Sequence, residues 1–327
     1  MSIITTSKIT KQFTKVQSGW PNFWSLKKET KTAIEDLNIE IEEGELVGFL
    51  GPNGAGKTTF LKILAGIMHP TFGQANILGF VPWERNYEYL RQIAIVMGQK
   101  NQLWWDLPAI DSFNMLKEVY EISDQKYRHN LDKMVEVLNM KELLTKRLRN
   151  MSLGERMKCE LTASFLHDPK VIFLDEPTIG LDIVSAKSIR NFLKDINKTK
   201  KCTMILTSHY MGDIEELCKR VIIINHGKKI FDGALEELKN QYAPEKEIVV
   251  FLDSLEDKKK FAHLKFPKKL VENKGILKVD KKDLGAVVSE VFDNFKIENV
   301  SIADIETEEV ITKIFLKTKA NPDKIQS

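Results

Sequence analysis

The stretch from Gly51 to Thr58, GPNGAGKT, constrains this chain more than any other. It follows a short apolar strand expected over Glu45 to Leu50 (ELVGFL) and opens an amphipathic helix expected over Thr58 to Met68, which His69-Pro70 ends. The spacing is that of the phosphate loop, GxxxxGK[ST], in the strand-before, helix-after setting that the chemistry requires. Glycines at positions 51, 54 and 56 let the backbone curl until several N–H groups converge on one anion, and the helix N-terminus adds partial positive charge. Lys57 is placed to neutralise β- and γ-phosphate charge, and the Thr58 hydroxyl to ligate a magnesium ion bridging those phosphates. The candidate cradle is Gly51, Asn53, Gly54, Ala55, Gly56, Lys57, Thr58 and Thr59.

The surrounding pattern is α/β. Ile3 to Ile9 and Ala33 to Ile41 alternate apolar and polar residues, which predicts half-buried antiparallel strands. Continuous apolar runs at Ile93 to Met97, Val171 to Leu174, Met204 to Thr207 and Val221 to Ile224, with helical patterns between most of them, predict a parallel sheet. From about Asp111 to Lys146 the apolar residues recur at three and four positions, as in an all-helical insert. After ALEELKN the pattern restarts near Lys246 as strand, helix, two strands, helix, strand, helix, a small α+β domain beyond a linker at Tyr242-Ala243-Pro244.

Composition narrows the class. With 327 residues, two domains of ordinary size are expected. The 49 Lys plus Arg against 46 Asp plus Glu leave a net +3, too little to attract nucleic acid or acidic lipid generally. No stretch approaches the roughly 20 apolar residues of a spanning helix, and MSIITTSKITKQF has no continuous apolar core of a secretory signal, so a cytosolic chain is expected. Cys159, Cys202 and Cys218 are an odd number at spacings that match no metal framework, which predicts buried reduced thiols.

A second chemical element is VIFLDE, residues 171 to 176, a buried strand whose end delivers two adjacent carboxylates. Asp175 is the expected magnesium partner, directly or through water. Glu176, one residue on, is the expected general base for an attacking water. Alone, Asp-Glu-Pro at a strand end reads as a cap or turn. Beside a phosphate loop it reads as chemistry.

Over about residues 1–240 these motifs resemble one family, the ATP-binding cassette, the nucleotide-hydrolysing subunit of ABC transporters. The resemblance extends to VMGQK, where Gln99 sits at the glutamine-loop position, to LTSH, where His209 sits at the switch-histidine position, and to the GLD turn with Asp182. It implies that Gln99 touches magnesium and senses the membrane partner, that His209 contacts the γ-phosphate, and that Asp182 communicates between two cassettes. MSLGER, residues 151 to 156, resembles the family signature, usually LSGGQ, with Ser152, the Gly154 N–H and Glu155 facing ATP held by the opposite subunit. Leu153 replaces the second glycine and Glu155 the glutamine. Ser152 and Glu155 also read as a helix capping box.

Phe13 resembles the aromatic residue on which cassettes stack adenine, although its separation from Gly51 is longer than usual, so extra residues including GWPNFWSLKK have to loop out. Trp20, Phe23, Trp24, Lys27 and Lys28 in that stretch suit either a membrane surface or the partner, or else packing on their own domain. Trp104 and Trp105 suit either an interface anchor near the groove that receives the membrane subunit or a core filler.

The fold expected is a P-loop cassette over 1–241, with an antiparallel β subdomain and a helical subdomain at about 100–158, followed by a small α+β domain over 245–319. The resemblance implies an ATPase needing ATP and Mg2+, paired with a second cassette, either another copy or a paralogue, on the cytoplasmic face of the membrane with a separate integral membrane permease, in the manner of bacterial exporters, and binding no nucleic acid. Two other functions remain open at this level, a soluble cassette ATPase acting on ribosomes and a binding-only regulatory cassette.

Overall fold

The computed structural model of the chain describes residues 2–18, 26–98, 100–252, 254–264, 266, 268–295 and 300–320. It divides into two compact units, Met1–Gly233 and Ala234–Ser327. The first runs β1 (Ser2–Ser18), β2 (Leu26–Glu42), β3 (Leu46–Leu50), α1 (Lys57–Leu64), β4 (Phe72–Ile77), α2 (Tyr87–Leu90), β5 (Ile93–Met97), α3 (Ala109–Val119), α4 (Asp124–Val137), α5 (Leu153–Phe165), β6 (Val171–Asp175), α6 (Ile183–Lys200), β7 (Thr203–Thr207), α7 (Met211–Leu217), β8 (Arg220–Asn225) and β9 (Lys228–Ala234).

Two sheets share the core of this unit. The larger has the order β5-β6-β7-β3-β8-β9, with parallel pairing from β5 through β8. Residues of β3 and β7 are buried throughout, which is why these strands read as unbroken apolar runs and not as alternation. The smaller antiparallel sheet, β2-β1-β4, alternates as expected, with Ile4, Ile9, Leu37, Ile39 and Ile41 turned inward. Between the sheets lies α1, whose Phe60 stacks on Phe49 of β3 at 5.0 Å between ring centroids.

The structure differs from the sequence reading in places that are locally ambiguous. The strands read as Ile3–Ile9 and Ala33–Ile41 are the inner halves of a long ribbon in which Phe13 pairs with Lys31 and Ser18 with Leu26. Residues 14–18 and 26–32 of the supposed loop-out are therefore paired strand, and KQFTKVQS hid it because its two apolar residues, Phe13 and Val16, do not alternate. Trp20, Phe23 and Trp24 lie outside the described residues, and so do the side chains of Lys27 and Lys28. The first helix stops at Leu64, not Met68, because Gly66 takes φ +69° beneath the Pro82 carbonyl, where a Cβ would approach to 2.3 Å. Strands β4 and β9 were unpredicted; β9 is reached by a two-residue turn, His226-Gly227, with φ +48° and +79°.

All three cysteines are free and buried, and burial pushes the Cys159 and Cys202 thiols up to about 12. His167, just past α5, is 7% exposed; its ring stacks on Tyr120 at 4.0 Å and Nε2 lies 3.0 Å from the Ile93 carbonyl. Burial drags its pKa down to about 4. In the unfolded chain the imidazole takes a proton near pH 6.5, while in the fold it stays neutral to about pH 4. Stability is therefore lost as pH falls through this window, by about 3 kcal/mol in all. Urea unfolding of His167→Phe between pH 7 and pH 4 is expected to show a correspondingly flatter pH slope; a slope equal to the parent's assigns the loss to other groups.

The second unit runs α8 (Leu235–Tyr242), β10 (Glu245–Phe251), α9 (Leu255–His263), β11 (Lys268–Val271), β12 (Lys274–Asp280), α10 (Leu284–Asn294), β13 (Val300–Asp304) and α11 (Thr307–Ala320). Its sheet has the order β11-β12-β10-β13, every pair antiparallel, a split β-α-β-β-α-β arrangement. Ile248, Val250, Leu277 and Val279 pack against Phe261, Val287 and Val291 from α9 and α10. Helix α8, which precedes the expected linker, belongs to this unit and packs on α11.

Candidate functional site

Parallel register brings the chemistry to one edge of the large sheet. Met97, Asp175 and Thr207 pair side by side at the C-terminal ends of β5, β6 and β7, and the loop after β3 emerges on the same edge. Ligands bind at such edges in open α/β sheets. Gly56 at φ +108° caps α1, and a Cβ on it would meet the Ala33 carbonyl at 2.4 Å, so only glycine lets the loop pass under the antiparallel sheet.

Within the loop, Lys57 is 6% exposed and its amine donates to the carbonyls of Gly51 at 2.7 Å and Pro52 at 3.3 Å. Burial lowers its pKa, while the carboxylates of Glu176 and Asp175 act in the opposite direction. The Thr58 hydroxyl donates to Asp175 Oδ2 at 2.8 Å, and Thr207 donates to Asp175 Oδ1 at 2.8 Å. Hydroxyl and carboxylate are hard oxygen donors of the kind magnesium takes. Among the described residues no cluster of three or more His, Cys, Asp or Glu is placed to hold a metal alone. A divalent ion held by Thr58 and Asp175 would therefore share its remaining positions with phosphate oxygens and water, as Mg2+ commonly does.

Glu176 sits at φ +55°, a left-handed conformation that costs free energy for a residue with a Cβ. Its N–H donates to the Thr207 carbonyl and hydroxyl, both at 3.1 Å, and Gly98 packs so closely on its carbonyl that a Cβ there would come within 2.0 Å. The strained backbone aims the carboxylate at His209, whose Nε2 lies 2.7 Å from Glu176 Oε1. The other oxygen, Oε2, is buried and has no hydrogen-bond partner among the described residues. Gln99 follows Gly98 but lies outside the described residues.

A cleft of about 290 Å³ joins these groups to the ribbon: Phe13, Lys31, Asn53, Gly54, Lys57, Thr58, Thr59 and Glu176 are among its walls. Phe13 is 41% exposed, with the Lys11 amine 5.3 Å from its ring centroid. Ala55 is buried, and its N–H is spent on the Pro52 carbonyl at 3.1 Å.

Ser152, Gly154, Glu155 and Asp182 form a separate cluster, and none of them lines this cleft. The capping box is realised in full: Glu155 N–H donates to Ser152 Oγ at 3.2 Å and Ser152 N–H to Glu155 Oε2 at 2.7 Å. Lys146 holds both oxygens of Glu155, at 3.0 and 2.8 Å, and this contact keeps the carboxyl below its ordinary range. Asp182 caps α6, accepting from Val184 and Ser185, and a Cβ on Gly154 would meet Ser185 Oγ at 2.5 Å. The tryptophan pair is not core: Trp104 and Trp105 are 39% and 44% exposed, and the Arg156 guanidinium lies 5.0 Å from the Trp105 ring.

Thr207, which ties Asp175 to Glu176, was missed in the sequence, as were Lys31 in the cleft and Lys146 beside the signature. For Thr207 a usable signal existed, a hydroxyl at the end of an apolar strand two residues before His209.

Comparison with known proteins agrees with this geometry. The profile of the ABC transporter family matches residues 34–179. The chain is 31% identical over 229 residues to the ABC transporter ATP-binding protein NatA of Bacillus subtilis, covering 70% of this chain and 93% of that one. It is 31% identical over 212 residues to the bacitracin transport ATP-binding protein BcrA of Bacillus licheniformis, covering 65% and 68%. Among solved structures, an ATP-binding subunit of an ABC transporter superposes with a TM-score of 0.63 at 22% identity, over 73% of this chain and 93% of that one. A dimeric ATP-binding cassette in a post-hydrolysis state bound to ADP and Pi superposes with a TM-score of 0.61 at 22% identity, over 71% and 98%. The phosphate loop, the paired carboxylates at the sheet edge and these likenesses together establish that the chain belongs to the family of ABC transporter ATP-binding proteins.

Proposed function

We propose that the chain binds and hydrolyses ATP and that a pair of cassettes couples this to transport, outward in direction, through a separate membrane-spanning permease. The observation that carries the reading is Glu176, which lines the same cleft as Lys57 and Thr58, with one oxygen on His209 and the other buried and without a partner among the described residues. In this reading the loop N–H groups and Lys57 hold the phosphates, and Phe13 stacks the base. Thr58 and Asp175, with Gln99, would hold Mg2+, which neutralises phosphate charge when bound. Glu176 Oε2 takes a proton from water as its oxygen bonds to the γ-phosphorus and the bond to the β,γ-bridging oxygen breaks, leaving ADP and inorganic phosphate. His209 keeps the carboxylate turned toward that water.

Ser152, Gly154 and Asp182 lie outside the phosphate-loop cleft, which fits their acting on ATP held by an opposite cassette. Glu155, already committed to its cap and to Lys146, contributes helix geometry there. A groove of about 380 Å³ lined by Ile67, Tyr87, Leu90, Leu103, Leu116 and Val119 supports an apolar partner element, and among the described residues no helix is long and apolar enough to cross a membrane. Transport agrees with the similarity to BcrA, a bacitracin transport ATP-binding protein. The outward direction rests on the resemblance to bacterial exporter subunits.

Two measurements test this. Full-length Glu176→Gln is expected to shift from monomer to dimer in light scattering when ATP and Mg2+ are added, and a monomer at saturating ATP contradicts the shared-site arrangement. The chain recovered from detergent-solubilised membranes of its own cells is expected to carry a polytopic membrane protein in near-equal amount; recovery with ribosomal particles in its place overturns the transport assignment.

A further inference from the structure

Asp213 is 1% exposed on α7, outside every motif singled out above. Its Oδ2 accepts two hydroxyls, from Ser208 at 2.7 Å and from Thr178 at 2.5 Å. Its Oδ1 accepts from Arg190 Nη1 of α6 at 2.9 Å, and Arg190 Nε donates to Glu216 at 2.5 Å. Asp213 N–H donates to the Tyr210 carbonyl at 3.1 Å, and Tyr210 N–H to Ser208 Oγ at 3.0 Å. Thr178 and Ser208 are themselves buried, at 3% and 4% exposure.

The placement of the two hydroxyls matters. Thr178 lies two residues past Glu176, on the turn leaving β6, and Ser208 immediately precedes His209, on the turn leaving β7. One carboxylate oxygen thus bolts together the two turns that carry the 2.7 Å Glu176–His209 contact. None of Asp213, Thr178 or Ser208 lines the cleft, so the group acts through Glu176 and His209 and not on nucleotide. A buried carboxylate is retained only when its charge is compensated and its lone pairs are used. Arg190 does the first and the two hydroxyls the second.

We infer that Asp213 is a positioning residue for hydrolysis: through Thr178 and Ser208 it sets the spacing of Glu176 and His209. The inference rests on the reading of that pair as the hydrolytic one. Displacement of a reacting group by about 1 Å costs on the order of 100-fold in rate, whereas the phosphate cradle is built on a different turn and should not feel the change.

The test replaces the buried pair by an apolar one, Asp213→Leu with Arg190→Met, and compares it with Asp213→Asn in the same Arg190→Met background, where the amide oxygen still accepts both hydroxyls. In the full-length protein the leucine variant is expected to lose about 100-fold in kcat with ATP affinity and KM close to the parent's. The asparagine variant is expected to recover turnover to within about fivefold of the parent. Thr178→Val with Ser208→Ala removes the donors with little change of volume, and it serves if the leucine protein does not fold. Parental kcat in both altered proteins, or a loss of ATP affinity matching the loss of kcat, overturns the inference. Imidazole 15N NMR separates the two levels: a shifted His209 signal in Thr178→Val with Ser208→Ala supports positioning even if Glu176→Gln should hydrolyse normally and remove the catalytic reading. An unshifted signal refutes positioning directly.

Discussion

Replacing Glu176 by Gln is expected to lower ATP turnover about 1,000-fold, within the range that positioned general bases supply, while leaving ATP affinity at the parental level. The substitution keeps size and shape, and the amide oxygen can still accept from His209 Nε2 in place of Oε1. What disappears is the basicity of Oε2, the oxygen that is buried with no partner among the described residues. The backbone strain at φ +55° is unchanged, because Thr207 and Gly98 maintain it through main-chain contacts. Single-turnover hydrolysis with a separate binding titration checks both halves. Parental turnover would remove Glu176 as the base.

Lys57→Ala is expected to weaken ATP binding itself, raising Kd about 100-fold, since hydrogen bonds to charged groups each contribute about 1.5–3 kcal/mol. Two consequences of the buried amine combine. Its loss deprives the carbonyls of Gly51 and Pro52 of the donor that draws the loop into its curl. It also leaves Asp175 and Glu176 without the cation whose charge they feel, so the phosphates would meet two uncompensated carboxylates. Titration calorimetry with ATP and Mg2+ reads the change. Unaltered affinity in a folded Lys57→Ala protein would show that the loop does not hold phosphate through this residue.

These two experiments probe the part of the molecule most legible before folding. The cradle is local: an apolar strand, glycines where φ turns positive at 54 and 56, a lysine and a threonine opening a helix, all within a dozen residues. The carboxylates at 175 and 176 were legible for the same reason, at the end of a strand buried enough to read as one apolar run. The signature segment was only half legible. The Ser152–Glu155 box follows from spacing, but the lysine that neutralises Glu155 approaches from the loop before it. The ribbon of β1 and β2 was underestimated because its outer half is mostly polar, with Phe13, Val16 and Leu26 too sparse to alternate, so periodicity carried no signal of pairing.

Short-range order was therefore written in the amino acids: the loop, the strand ends and the buried thiols follow from residue type and spacing, because backbone curl and apolar periodicity act over a few neighbours. The meeting of Thr58 with Asp175, of Glu176 with His209, and of Thr178 and Ser208 with Asp213 came only with folding. Those contacts join elements whose neighbours across the sheet are not their neighbours along the chain, and the side-by-side register of β6 and β7, set by burial on both faces, is what brings their ends together.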